Sequence, residues 1–219
     1  SLRTVSGTFT HTLTVPARTM VVLTLDRDTD RDQVINSYDL CPSTLAQYAT
    51  RVSLRNGCPL PTLTRFTPSL TTDVAAVADL RAVFNFSLGV SGKGQVQFSN
   101  VPVQVLRHVA SANRFDPLDL DTGVVFDTYR LSVTVPELNK PAIVTFFNVP
   151  FRSPTLYRDG SPCSSCSLVR HTSQETVFTV PGFSTYEVRA GNCGDNFCGA
   201  GETCTTCPRD CGSCGSKDD

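Results

Sequence analysis

Apolar and polar positions alternate with a period of two over much of the chain, the pattern of strands that bury one face. The densest set lies at Pro136–Val188. There AIVTFFNV (Ala142–Val149) runs into Pro150, PTLY leads to the turn pair Asp159-Gly160, and ETVFTV and STYEV close the stretch. Upstream, VFNFSLGV, GQVQFSN, VPVQVLRHV and GVVFDTYRLSVTV repeat the pattern, with breaks at Ser91-Gly92, Asn100, Asp116-Pro117 and Asp121-Thr122-Gly123. Residues 4–25 add TVSGTFTHTLTV and TMVVLTL; in the first, Phe9, His11, Leu13 and Val15 alternate with Thr8, Thr10, Thr12 and Thr14. About eleven strands at this spacing are enough for two packed sheets. The expected fold is all-β: a β-sandwich, one large or two small, followed by a small disulfide-rich C-terminal knot.

Three regions follow from the punctuation. Residues 1–72 read as an N-terminal β region containing a loop between Cys41 and Cys58, which the simplest proposal pairs with each other. Closing a loop of that length stabilises a fold by about 3 kcal/mol in the chain-entropy treatment. Pro59, Pro61 and Pro68 mark an extended connector. Residues 73–189 read as the sandwich. Within it, DVAAVADLRAV (Asp73–Val83) carries a helix signal, with Asp73 as cap, and reads equally as a lead-in to the next strand. Residues 190–219 form the cysteine-rich tail.

The 219 residues are 40% hydrophobic and 18% charged, so the chain is globular. A net charge of −1 argues against nucleic acid or anionic membrane as the main partner, and no apolar run reaches the length of a membrane span. Beginning at Ser1, with no Met and no signal-type apolar segment, the chain reads as a processed secretory product. Ten cysteines bear most on the compartment, and six of them lie between Cys193 and Cys214. Such density without histidine partners reads as a disulfide framework of an extracellular or cell-surface protein. Zinc is the competing reading for the C-x-x-C pairs Cys163–Cys166, Cys204–Cys207 and Cys211–Cys214. Against it, only three residues separate Cys207 from Cys211. Of the 15 pairings open to the tail cysteines, Cys193, Cys198, Cys204, Cys207, Cys211 and Cys214, the sequence selects none.

The Leu118–Val188 stretch resembles a β-sandwich module of secreted and cell-surface archaeal proteins. The shared features are LNKPA before a strand, F-x-N-V-P-F, the Arg158-Asp159-Gly160 turn, a cysteine pair after it, and V-x-x-F-S-x-Y-E-V. The tail, C-G-D-x-x-C-x-x-G-E-x-C-x-x-C-P-x-D-C-G, is similar to a disulfide-rich motif at the ends of exported prokaryotic proteins. The resemblance implies a structural role at the cell surface, in filaments, surface layers or adhesion, and implies no activity.

Candidate chemistry is sparse. His11, His108 and His171 sit in strand-like segments without a G-x-S-x-G or H-E-x-x-H context, so an enzyme is not expected. Cys163–Cys166 lacks the βαβ setting of a redox pair and reads as a staple. Oxygen donors for Ca²⁺ occur in the tail (Asp195, Asn196, Glu202, Asp210) and in FDPLDLDTG (Asp116, Asp119, Asp121); turn capping is the plainer reading of both. DRDTDRD (Asp26–Asp32) has Asp at every second position. Carboxylates spaced by two could bind Ca²⁺, but the glycine that an EF-hand-type loop uses for its sharp turn is missing, and a solvated loop neutralised by Arg27 and Arg31 is the plainer reading. Asn85-Phe86-Ser87 is a glycosylation sequon.

The expected function is that of an extracellular structural protein, a subunit of a surface filament, pilus-like fibre or surface layer. It self-associates by strand addition, with Val5–Val15 as the donated strand. The alternative is a secreted adhesin or carbohydrate- or ligand-binding module with Ca²⁺-stabilised loops, whose partners are glycans or other surface proteins.

Overall fold

A computed structural model describes residues 26–109, 114–191, 193–194, 198 and 202–214. The strand candidates before residue 26, including Val5–Val15, lie outside the described residues, as do Asp195 and Asn196.

Two five-stranded antiparallel sheets make the sandwich. The first has the order β1 (Phe86–Val90), β2 (Gly94–Phe98), β7 (Ala142–Phe147), β11 (Glu175–Val180), β10 (Ser167–His171). The second has the order β5 (Val124–Asp127), β6 (Arg130–Val133), β12 (Thr185–Ala190), β8 (Pro154–Arg158), β9 (Ser161–Pro162). A separate hairpin joins β3 (Leu106–Val109) to β4 (Arg114–Pro117). The fold class read from the sequence is therefore the one observed, as a single sandwich.

The period-two pattern explains the layering. Phe86 and Leu88, Val96 and Phe98, and Val144 and Phe146 point inward from the first sheet, and Leu131, Tyr186 and Val188 from the second; all are essentially inaccessible to solvent. Tyr186 buries its ring and still satisfies its hydroxyl, which donates to the Gly182 carbonyl at 2.6 Å. Tight turns fix the register. Asp159 (φ 51°) and Gly160 (φ 82°) both adopt the left-handed conformation between β8 and β9, which a two-residue hairpin of right-handed twist requires.

Residues 26–72 differ from the expected β region. Among the described residues they hold isolated bridges and two 3-10 turns, Ala46–Tyr48 and Pro68–Leu70, with no strand. The expected helix at Asp73–Val83 shrinks to a single 3-10 turn, Val74–Ala76, capped by Asp73 through the Ala75 N–H. A second turn begins at Asp79, whose carboxylate takes the Arg81 N–H and guanidinium, so the local side chains compete with a continuous helix. The connector does not separate two units either. Residues 67–72 lie along the edge of β1, with Thr67 N–H donating to Gly89 and Thr72 N–H to Ser87.

All ten cysteines are paired: Cys41–Cys58, Cys163–Cys166, Cys193–Cys207, Cys198–Cys211 and Cys204–Cys214. Five disulfides are compatible with an oxidising compartment. Among the described residues no helix is long and apolar enough to cross a membrane.

Candidate metal centre

The acidic run is built by side chains folding back on the backbone. Asp28 accepts the N–H groups of Asp32 (3.2 Å) and Gln33 (2.9 Å) through its two oxygens. Asp30 Oδ2 accepts Thr44 N–H (2.8 Å), and Asp32 Oδ1 accepts Val34 N–H (2.8 Å). Further on, Asp39 Oδ1 accepts Cys41 N–H (2.7 Å). Asn36 pairs with Thr29, its Oδ1 taking the Thr29 N–H and its Nδ2 donating to the hydroxyl. These bonds wind the chain into a compact loop braced by the Cys41–Cys58 disulfide, both halves of which are fully buried.

Carboxylate oxygens of Asp28, Asp30 and Asp32 all lie within 4.8 Å of one another. Asp39 lies outside that group and approaches Asp32 beside Gly57. A β-carbon placed on Gly57 would lie 2.1 Å from Asp39 Oδ1 and 2.8 Å from Asp32 Oδ2, so only glycine leaves room for the two carboxyls. Asp32 is fully inaccessible and Asp39 is 9% exposed. One oxygen of each carboxyl is tied to backbone, while Asp30 Oδ1, Asp32 Oδ2 and Asp39 Oδ2 are buried with no hydrogen-bond partner among the described residues. Burial, with the neighbouring carboxylates adding to it, pushes Asp32 up to about 7 and Asp39 to about 6; burial also raises Asp30. The expected neutralisation by arginine does not occur. Arg27 and Arg31 are exposed, and neither enters an ion pair among the described residues.

The other Ca²⁺ candidates have different surroundings. Asp119 is exposed and caps the short helix α1 (Leu120–Gly123) through the Thr122 N–H. Asp121 accepts the Thr64 hydroxyl (2.6 Å) and the Arg65 N–H (2.9 Å). Asp116, on β4, takes a hydrogen bond from Tyr48 that raises the phenol. These three do not converge on one point. In the tail, a carboxylate oxygen of Asp210 and the Cys193 and Cys207 sulfurs lie within 4.8 Å of one another, but both sulfurs are committed to a disulfide. Asp210 accepts the Gly194 N–H, and Glu202 is half-buried. His171 sits on β10, its Nδ1 2.8 Å from the Thr176 hydroxyl, and Asn85 of the sequon is exposed on the turn before β1.

Asp121 ties the connector to the sandwich. Burial works to raise its pKa, but the bonds from Thr64 and Arg65 outweigh it and hold the carboxyl below its ordinary value. A depressed folded-state pKa stabilises above the unfolded value of about 3.9 and ceases to do so as pH falls through the folded one. Asp121→Ala is expected to lose about 2–3 kcal/mol at pH 7 and progressively less in acid, read by denaturant titration at several pH values.

Sequence reasoning stopped at Asp32 and so missed Asp39. The signal was the spacing: Asp28, Asp30, Asp32 and Asp39 occupy positions 1, 3, 5 and 12 of a twelve-residue loop.

No protein-family model matches the chain, and no curated protein matches it. Among solved structures, a Chaetomium thermophilum fusion of a mutant Nup145N APD to Nup145C N aligns over 48% of this chain and 82% of that one. It is 17% identical, with a TM-score of 0.34. A likeness at that level carries no argument about fold or function.

Proposed function

We propose that the chain is an extracellular structural protein of the cell surface, a building block that joins copies of itself by β-strand addition. One observation carries the reading: the open edge of the first sheet at β10. Leu168 is 50% and Val169 61% exposed there, and among the described residues β10 pairs only with β11. Beside it runs a groove of about 260 Å³ lined by Pro154, Leu156, Pro162, Leu168, Phe178 and the Cys163–Cys166 bridge. An unpaired edge next to a groove of mixed polar and apolar lining suits an extended segment that supplies backbone hydrogen bonds and alternate apolar side chains. The alternation of Phe9, Leu13 and Val15 in Val5–Val15 fits that need. The resemblance of Leu118–Val188 to archaeal surface modules and the full pairing of the cysteines support the same setting.

Negative-stain microscopy of the native, unreduced protein tests this. Fibres are expected, lost both on deletion of residues 1–16 and in Leu168→Lys/Val169→Lys. Isolated particles at every concentration, or fibres that survive both changes, would overturn it.

A further inference from the structure

We propose that the Asp28–Asp39 loop is a Ca²⁺ site, with Asp28, Asp30, Asp32 and Asp39 as its carboxylate ligands. The argument is one of unmet valence. A buried carboxylate oxygen without a partner is costly, and this loop presents three at once, on Asp30, Asp32 and Asp39. Asp32 is wholly inaccessible, so water reaching it from the surface does not satisfy that oxygen. Each of these three carboxyls is held by backbone through its other oxygen, and oxygens of Asp28, Asp30 and Asp32 lie within 4.8 Å of one another. Among the described residues, no arginine or lysine supplies the opposite charge. A cation at the centre does so for every group simultaneously.

The donors are all oxygen, which selects a hard ion over zinc or copper. Their order along the chain matches a twelve-residue calcium loop: carboxylates at positions 1, 3, 5 and 12, Val34 at position 7 where a backbone carbonyl serves, and Asn36 at position 9, which often acts through water. The missing glycine at position 6 no longer counts against this. Gln33 occupies that position with φ 77°, the conformation for which glycine is usually needed, so the sharp turn forms without it. Several carboxylates in a loop that adjusts its size favour Ca²⁺ over Mg²⁺, which demands a small octahedron and keeps its water.

The full-length, unreduced protein, stripped with EGTA and dialysed, is titrated with CaCl₂ by calorimetry and melted with and without the ion. One Ca²⁺ per chain is expected to depend on this loop, and a hundredfold excess over Kd is expected to raise Tm by about 5–10 °C. Asp30→Asn and Asp39→Asn should each weaken binding about tenfold or more. In EGTA, Asp32→Asn should melt no lower than wild type, because it removes an uncompensated buried charge, yet lose the Ca²⁺ shift. Gln33→Gly should tighten binding several-fold, an effect that a merely structural loop would not produce. Absence of binding at millimolar Ca²⁺, an equal shift with Mg²⁺, or binding undiminished in Asp30→Asn and Asp39→Asn would each overturn the assignment.

Discussion

Phe146→Ala is expected to cost about 3–5 kcal/mol and to lower Tm on the order of 10 °C. Phe146 lies on β7, the middle strand of the first sheet, hydrogen-bonded between β2 and β11. Its ring is fully buried and meets Phe178 edge-on, with centroids 6.5 Å apart. Both flanking strands are fixed by their ladders, with Gly94 opposite Phe146 on one side and Thr176 on the other. The cavity therefore has little means of collapsing, and incomplete collapse is what takes such substitutions to the upper part of their range. Val125→Ala on the edge strand β5, where the side chain is 38% exposed, serves as control and should stay within about 0.5 kcal/mol. Chemical denaturation of the two variants side by side checks the pair; equal losses would mean that β7 is not the centre of the core.

Replacing Cys41 and Cys58 together by Ala is expected to cost about 3 kcal/mol in the chain-entropy treatment. Damage should be concentrated at residues 26–60 rather than spread over the sandwich. The bridge spans 17 residues, and what it encloses has little apolar packing of its own. Order there comes from polar contacts: Thr44 donates to the Cys41 and Gly57 carbonyls, and Asn56 holds the Cys58 N–H. Without the cross-link, these bonds must offset the loop entropy alone. Limited proteolysis should then cut within 26–60 while the sandwich strands stay protected. Uniform digestion of the whole chain would show instead that the loop and the sandwich unfold as one unit.

The sandwich was legible because one interaction dominates it. Where burial of alternate side chains decides the structure, as in Val144 and Phe146 or Tyr186 and Val188, the period of two is written directly into the chain. Residues 26–60 are organised by side-chain-to-backbone hydrogen bonds from Asp28, Asp32, Asp39 and Asn56, which leave no periodic trace. Asp73–Val83 misled for the same reason: Asp79 makes a local turn with Arg81 that apolar spacing does not register. The acidic loop was partly legible. Its first three carboxylates stand in plain alternation, but Asp39 is set seven residues beyond Asp32, and a rule that asked for glycine did not anticipate Gln33 in the left-handed region. The tail pairings were closed to sequence reasoning because they depend on which sulfurs meet in space.

The two edges of the first sheet are unequal, and that inequality sets the symmetry of any polymer built on it. Residues 67–72 already occupy the β1 edge, through Thr67 and Thr72, so two copies cannot meet there strand to strand. If a strand from one copy fills the β10 edge of the next, donor and acceptor are different surfaces of the same molecule. Such a head-to-tail contact has no two-fold axis and extends indefinitely unless the rotation per step closes a ring. The resulting fibre is polar, with a vacant edge at one tip and an unspent strand at the other. A free peptide copying residues 4–15 would then act on one tip only, and its ratio to protein would set fibre length.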